Sequence, residues 1–172
     1  GAMLRQVEAA PQAVIAVIEG AAMGGGFGLC CVSDVAIAEA TTTRFRLPET
    51  TLGIPPAQIA PFIVRRVGLT QARRLAVTGG NLDAHQALAL GLVHQVADAA
   101  SMQQQLDAVL ADLARCAPEA VAMTKRLVLD AAGAGETIDP LLDAAADMFA
   151  KAARGPERIE GMTAFLQKRP PA

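Results

Sequence analysis

The sequence predicts an α/β fold that is followed by a C-terminal helical region. Short, β-branched apolar runs alternate with glycine turns and helical patterns over residues 4–100, whereas alanine and leucine at helical spacing dominate the start of residues 101–172. The chain has 172 residues, of which 52% are hydrophobic and 19% charged, so a single domain with a sizeable core is expected. Residues 1–3 resemble the remnant of a cleaved tag and are left out of the fold assignment.

The composition excludes several classes of partner. A net charge of -2 provides no basic field for a phosphate backbone, and aromatic residues amount to 3%, all phenylalanine, which leaves no stacking platform. No apolar run approaches the roughly 20 residues of a membrane helix, and the N-terminus lacks a basic segment followed by an apolar one. We therefore expect a cytoplasmic protein that binds neither nucleic acid nor membranes.

The first half of the chain begins with a unit of strand, turn, helix and strand. The run VIAVI at residues 14–18 is short and β-branched, as in a strand that is covered on both faces. Glycine-rich residues 20–28 predict a turn that leads into a buried helix, which ends near Ser33. Residues 35–38 predict the second strand and residues 45–47 a third, short one.

The middle of the chain predicts a loop, two helices, a capped helix and a strand. Proline and threonine are frequent in residues 48–56, which indicates an irregular loop. Helical spacing over residues 57–77 is interrupted by Gly68, so this stretch predicts two helices. Asp83 is predicted to cap the next short helix, and residues 92–96 to form a strand.

The remainder of the chain predicts helices only. Helical periodicity extends from residue 101 to residue 149, with breaks at Pro118 and at residues 133–140, so we expect three helices there. A last helix is predicted at residues 157–168.

The cysteines and histidines indicate no disulfide framework and no metal site. Cys30 and Cys31 are adjacent and Cys116 lies far along the chain, so neither a disulfide framework nor a zinc spacing can be formed. We expect reduced cysteines that are mostly small buried hydrophobes. The two histidines lack ligand partners at metal spacing, and Arg65 and Arg66 are expected on a solvated helix face.

The glycine cluster at residues 24–28 is the first candidate site. Glycines let a ligand come close to the backbone, and the unpaired amides at a helix start favour an oxyanion or a phosphate. The alternative is close packing of a strand against a helix. The dinucleotide fingerprint fails because Cys31 stands where its third glycine belongs, and no Lys-Ser or Lys-Thr pair follows to form a phosphate-binding loop.

Glu49 is the second candidate. It lies between Pro48 and two threonines in the predicted irregular loop. A carboxylate in such a place is most often a helix cap or a surface group. Next to an oxyanion site it becomes a candidate general acid or base.

Three groups of residues resemble, in order and spacing, the crotonase family of enoyl-CoA hydratases and isomerases. They are VIAVIEGAAMGGG at residues 14–26 with Ser33, Asp34 and FRLPE at 45–49; LAVTG at 75–79 with LDA at 82–84 and LGLV at 90–93; and EGMTAF at 160–165 with Lys168 and Arg169. The resemblance implies a spiral core of ββα turns and a C-terminal helical region, assembled as trimers or dimers of trimers.

The resemblance also implies the residues of the site. The amide of Gly25 is implied as one of two backbone donors to the thioester oxygen of an acyl-CoA, which agrees with the helix-mouth interpretation. Residues implied to line the substrate are Met23, Gly24, Gly26 and Gly28. No separate cofactor or metal is implied, because coenzyme A is part of the substrate.

The resemblance assigns one catalytic carboxylate. Hydratases of the family use two glutamates; Glu49 matches the second, whereas Gly28 stands at the position of the first. This exchange, together with residues 55–64, resembles a subgroup that hydrates branched or glutaconyl-type acyl-CoA esters. The resemblance therefore favours an enoyl-CoA hydratase, with a Δ3,Δ2-enoyl-CoA isomerase as the alternative.

The resemblance corresponds to the C-terminal two-thirds of family members. Residues 4–100 would be a partial spiral core and residues 101–172 a C-terminal helical trimerisation region. The family portion that carries the second oxyanion donor has no counterpart in this sequence, so a non-catalytic assembly module is the third interpretation. Phe165 and Lys168 match a segment near the phosphates of coenzyme A, the alternative being a solvated helix end. We expect a homo-oligomer, a trimer or hexamer.

Overall fold

The computed structural model describes the chain over residues 1–133, 147, 150–151 and 154–169. The chain divides into two compact units, one formed by Gly1–Ala9 with Val14–Ala108 and the other by Ala10–Ala13 with Val109–Ala172. In chain order the elements are α1 (Ala2–Glu8), β1 (Ile15–Ile18), β2 (Ala21–Met23), α2 (Gly25–Val32), β3 (Val35–Glu39), β4 (Arg44–Arg46), a 3-10 helix (Glu49–Leu52), α3 (Ala60–Thr78), β5 (Asn81–Asp83), α4 (Ala84–Ala89), β6 (Gln95–Ala97), α5 (Met102–Leu113), α6 (Pro118–Gly133) and α7 (Pro156–Gln167).

The first unit is built on two three-stranded sheets. One has the order β1-β3-β6 with all pairs parallel, and Ile15 lies opposite Val35 in its register. The other has the order β2-β4-β5, in which β2 is parallel to β4 and β5 is antiparallel to it. Helix α2 connects the two sheets because it leaves β2 and leads into β3. The start of α2 therefore lies at the end of a strand, where a ligand can reach its free amides.

A buried aromatic pair fixes α2 against the second sheet. Phe27 of α2 and Phe45 of β4 are both fully buried, and their rings meet edge to face with centroids 6.0 Å apart. Such a pair contributes about 0.5–1.5 kcal/mol beyond the burial of its area. Leu47 and Leu75 are also fully buried and belong to the same core cluster.

Two local signals in the sequence are confirmed. The helix over Ala60–Thr78 is interrupted at Gly68, whose φ of 76° and ψ of 161° are not helical. The carboxylate of Asp83 accepts from the amide of Gln86 at 2.8 Å, and the side chain of Gln86 accepts from the amide of Asp83 at 3.0 Å. This reciprocal pair is the capping box that starts α4.

Other boundaries differ from the predictions. Residues 48–56 contain a 3-10 helix rather than only irregular loop, and two short strands, β2 and β5, were not predicted. The predicted strand at residues 92–96 begins at Gln95, because its pairing with β3 starts there, and the buried Leu92 and Val93 belong to the preceding turn. Two of the three helices expected up to residue 149 are α5 and α6; the third falls largely outside the described residues.

One prediction about side chains is wrong. Arg66 is half-buried rather than solvated, because its guanidinium donates to the carbonyls of Leu92 and Ser33, both at 3.0 Å. The cysteines are as expected: all three are free and two of them, Cys30 and Cys31, are buried, whereas Cys116 is exposed. Burial raises the pKa of the Cys30 thiol to about 11, so this thiol is not a nucleophile at neutral pH.

The second unit is mostly helical in its described part. The carboxylate of Glu157 in α7 accepts from the amide of Glu119 at 2.9 Å and from that of Ala120 at 3.2 Å, so it caps the start of α6. Three large apolar side chains of α7 remain exposed: Ile159, Met162 and Leu166. None of the helices among the described residues combines the length and apolar character that crossing a bilayer requires.

Candidate active site

The mouth of α2 presents free backbone donors. Gly24 turns the chain from β2 into α2 with a φ of 51°, and its amide donates to the carbonyl of Arg46 at 3.1 Å. The next two residues, Gly25 and Gly26, are exposed, and no side chain caps the helix. The first amides of a helix have no partner within it, and they carry the positive end of its dipole. These two donors are therefore available to a ligand oxygen.

Glu49 lies directly against this mouth. A Cβ added to Gly24 would be 3.0 Å from Oε1 of Glu49, so the carboxyl group would have to give way by a few tenths of an ångström to a side chain at position 24. The other oxygen, Oε2, is buried and has no hydrogen-bond partner in the described part of the chain. A carboxyl oxygen that forms no internal hydrogen bond is available to a polar group of a ligand.

The 3-10 helix that carries Glu49 is anchored on both sides. It follows the fully buried Leu47, and the hydroxyl of Thr50 donates to the carbonyl of Ala76 in α3 at 2.5 Å. On its other side the 3-10 helix packs against Gly79, since a Cβ on Gly79 would be 2.7 Å from Cγ2 of Thr51. These contacts hold the Glu49 backbone next to the end of α3.

Gly28 faces an apolar wall. A Cβ at this position would be 2.8 Å from Cγ2 of Ile59 and 3.0 Å from Cδ1 of Leu4, and all three residues are buried. A glutamate at position 28 would have to displace both side chains. The place of a first glutamate is therefore filled by apolar groups, and Gly28 lies behind the mouth of α2 rather than on its open face.

The other predicted site residues fall into two sets. Met23 is exposed at the end of β2, directly before Gly24. Lys168 is exposed at the end of α7, which belongs to the second unit, and the side chain of Phe165 lies outside the described residues. Within the described ranges, no three His, Cys, Asp or Glu side chains cluster closely enough to hold a metal ion.

Sequence reasoning missed three residues that surround the site. Ile59 fills the space at Gly28, Thr50 anchors the 3-10 helix and Arg66 anchors the end of α2. Only Ile59 had a signal in the sequence, because a glycine inside a buried helix indicates a close neighbour. The partners of Thr50 and Arg66 lie 26 residues or more away in the chain, so no local pattern reveals them.

The chain is similar to enzymes of one family over almost its whole length. A family model described as enoyl-CoA hydratase/isomerase matches residues 2–172. An enoyl-CoA hydratase/isomerase structure from Marinobacter aquaeolei is 53% identical with a TM-score of 0.93, over 99% of this chain and 64% of that one. AtuE of Pseudomonas aeruginosa is 56% identical with a TM-score of 0.92, over 99% of this chain and 65% of its own.

A curated relative gives the same result. A crotonyl-CoA hydratase from Syntrophomonas wolfei is 32% identical over 97% of this chain and 64% of its own length. The chain thus spans less than two thirds of the length of these three relatives. The match includes the mouth of α2 and the 3-10 helix that carries Glu49. The chain belongs to the enoyl-CoA hydratase/isomerase family.

Proposed function

We propose that the mouth of α2 binds the thioester of a 2-enoyl-CoA and that Glu49 catalyses the addition of water to its double bond. The observation that carries this proposal is the contact between the Glu49 carboxyl group and Gly24, one residue before the free amide of Gly25. An oxyanion donor and a proton-transfer group within one site are what enolate chemistry requires. Relatives named as hydratases support the same reaction.

The proposed hydration uses one donor and one carboxylate of this chain. The amide of Gly25 donates to the thioester oxygen, which becomes negative as the water oxygen bonds to the β-carbon. Glu49 takes the proton that this water releases. The enolate then collapses and its electron pair takes that proton from Glu49 at the α-carbon, so atoms and charge balance. The steps are the addition of water and two proton transfers, and they call for no cofactor beyond the coenzyme A of the substrate.

We further propose that the acyl group is branched or of the glutaconyl type. Support comes from Gly28 and residues 55–64, which together resemble the subgroup that acts on such esters. With Ile59 and Leu4 against Gly28, a second carboxylate does not reach the substrate from that position. Glu49 alone serves both proton transfers in this proposal.

The apolar side chains packed against Gly28, which leave the site with one carboxylate, also favour a second candidate reaction. A single carboxylate is sufficient to move a proton from one carbon to another, as in a Δ3,Δ2-enoyl-CoA isomerase, which adds no water. The two reactions differ in their product. Hydration in heavy-oxygen water yields a 3-hydroxyacyl-CoA that carries the solvent oxygen, whereas isomerisation yields an enoyl-CoA without it.

Assembly and the coenzyme A pocket belong to the proposal as well. The exposed apolar residues of α7, Ile159, Met162 and Leu166, support a homo-oligomer, and we propose a trimer or hexamer in the cytoplasm. Lys168 and Phe165 are proposed to approach the phosphates of coenzyme A, with Lys168 acting as a point charge.

The test is the turnover of Glu49→Gln on crotonyl-CoA and on a methylglutaconyl-type CoA ester. We expect kcat to fall about 10²-fold or more, because the amide cannot exchange the proton. Glu19→Gln is the matched control, since Glu19 is an exposed glutamate of the same unit. Unchanged turnover of Glu49→Gln would remove Glu49 from the mechanism. If the wild-type chain shows no turnover and calorimetry shows no binding of acyl-CoA tighter than about 1 mM, the result would instead support a non-catalytic assembly module.

A further inference from the structure

Helix α3 consists of two arms that meet at Gly68. The φ of 76° and ψ of 161° at Gly68 break the helix, and only glycine adopts this combination without strain. A Cβ at this position would meet nothing within 4 Å, so the bend depends on the backbone and not on crowding. Residues 60–67 form the first arm and residues 69–78 the second.

The first arm holds α2. Arg66 donates from Nη1 to the carbonyl of Ser33, which is the C-terminal cap of α2, and from Nε to the carbonyl of Leu92, both at 3.0 Å. The thiol of Cys30, within α2, donates to the same Leu92 carbonyl at 3.5 Å. A cation at a helix C-terminus also stabilises the helix dipole. Ile59, directly before the arm, rests on Gly28.

The second arm holds the 3-10 helix. Thr50 is the residue after Glu49, and its hydroxyl donates to the carbonyl of Ala76 at 2.5 Å. The end of this arm continues into Gly79, which packs against Thr51. The backbone that carries the Glu49 carboxyl group is thus attached to the same helix as the backbone that carries the Gly25 amide.

We propose that α3 sets the separation of the Gly25 amide and the Glu49 carboxyl group, with Arg66 and Thr50 as the positioning residues on its two arms. This inference rests on the proposed function, in which the two groups act on one substrate. Displacement of a reacting group by about 1 Å can cost about 10²-fold in rate. Neither positioning residue has to touch the substrate.

The first test replaces Thr50 by valine, which keeps the shape of the side chain and removes its hydroxyl. Thr78→Val is the matched control, because its hydroxyl donates to the carbonyl of Arg74 at 2.6 Å, a bond within α3 rather than to the 3-10 helix. Both threonines are exposed, so both variants should fold. We expect kcat on an enoyl-CoA to fall about tenfold or more in Thr50→Val, with KM nearly unchanged, and to stay at the wild-type value in Thr78→Val.

The second test replaces Arg66 by methionine, with Arg65→Met as its control. Arg65 is the neighbouring residue on α3 and pairs with Glu8 of α1 at 2.6 Å rather than with α2. Arg66→Lys should recover part of kcat, because an ammonium group can still donate to one of the two carbonyls.

The third measurement is independent of turnover. In ligand-free protein labelled with nitrogen-15 glycine, Thr50→Val and Arg66→Met should shift the amide resonances of Gly24 and Gly25, and the two controls should not. If these two variants shift the resonances while Glu49→Gln turns over like wild type, the positioning role is upheld and the proposed function is contradicted. If Thr50→Val matches Thr78→Val in both resonances and kcat, while Glu49→Gln is inactive, the positioning role is wrong and the proposed function stands.

Discussion

Oε1 of Glu49 lies 3.0 Å from the position that a Cβ on Gly24 would occupy. A side chain at position 24 is therefore unfavourable for two separate reasons. The φ of 51° strains any L residue, and a methyl group would shift the Glu49 carboxyl group by a few tenths of an ångström.

Gly24→Ala should accordingly reduce both stability and activity. We expect a loss of about 1–3 kcal/mol in the free energy of unfolding from the strained backbone, and a fall in kcat because Glu49 moves. Gly20→Ala separates the two effects, since Gly20 has a φ of 79° but nothing within 4 Å of its added Cβ. Urea melts should show a loss of stability in both variants. Turnover measurements should show a loss of activity only in Gly24→Ala. Equal turnover of the two variants would contradict the contact.

The apolar wall at Gly28 predicts a coupled pair of substitutions. Gly28→Ala should cost about 1–3 kcal/mol, because its methyl group would lie 2.8 Å from Ile59. Ile59→Ala should cost about 2–5 kcal/mol as a cavity. The double variant should be more stable than the sum of the two losses predicts, since the methyl group at position 28 then enters the space vacated at position 59. Strictly additive losses in a double-mutant cycle would show that the two residues do not touch.

His94 predicts a pH dependence of stability. Its Nδ1 accepts from the amide of Ala36 at 2.9 Å, and partial burial, followed by the charge of Arg66, lowers its pKa from the ordinary 6.5. Below pH 6.5 the unfolded chain therefore binds a proton that the folded chain resists, and stability falls as the pH decreases. The slope should be a fraction of about 1.4 kcal/mol per pH unit, because solvent reaches the ring.

Thermal melts between pH 7 and pH 5 measure this dependence. His94→Gln should flatten the curve in this range relative to wild type, and His85→Gln, which replaces an exposed histidine, is the matched control. If the stability of His94→Gln depends on pH as that of wild type does, other groups cause the pH dependence.

The proposed role of Lys168 predicts that its replacement affects KM for CoA esters and KM for short thioesters differently. If its ammonium group approaches the phosphates of coenzyme A, Lys168→Ala should raise KM for CoA esters and leave short N-acetylcysteamine thioesters unaffected, since these lack the phosphates. Lys151→Ala provides a control with another exposed lysine. An equal loss on both substrate types would refute the contact.

The sequence predicted those features that depend on neighbours in the chain. Asp83 and Gln86 form their capping box within one turn, and Gly68 breaks its helix through its own backbone angles, so both were visible locally. The three-residue strands β2 and β5 are too short for periodicity and owe their structure to pairing with β4. Arg66 was expected in solvent because its carbonyl partners, Ser33 and Leu92, come from distant segments.

The site divides in the same way. The glycine cluster before α2 indicated free amides from the local sequence alone, and the structure has Gly25 and Gly26 exposed at an uncapped helix start. The contact between Glu49 and Gly24 joins segments 25 residues apart, and only the resemblance to a family pointed to it. Gly28 inside a buried helix indicated a close neighbour, but the sequence did not show that the neighbours are Ile59 and Leu4, because one belongs to the cap of α3 and the other to α1.

The most direct test of the central claim is a titration of the chain, labelled with nitrogen-15 glycine, with butyryl-CoA, a saturated thioester that cannot be hydrated. The proposed site predicts that the amide resonance of Gly25 moves downfield as it bonds to the thioester oxygen, and that free coenzyme A, which lacks this oxygen, does not produce the shift. A titration in which butyryl-CoA binds and the resonances of Gly24, Gly25 and Gly26 all stay in place would contradict the assignment of the mouth of α2 as the oxyanion site.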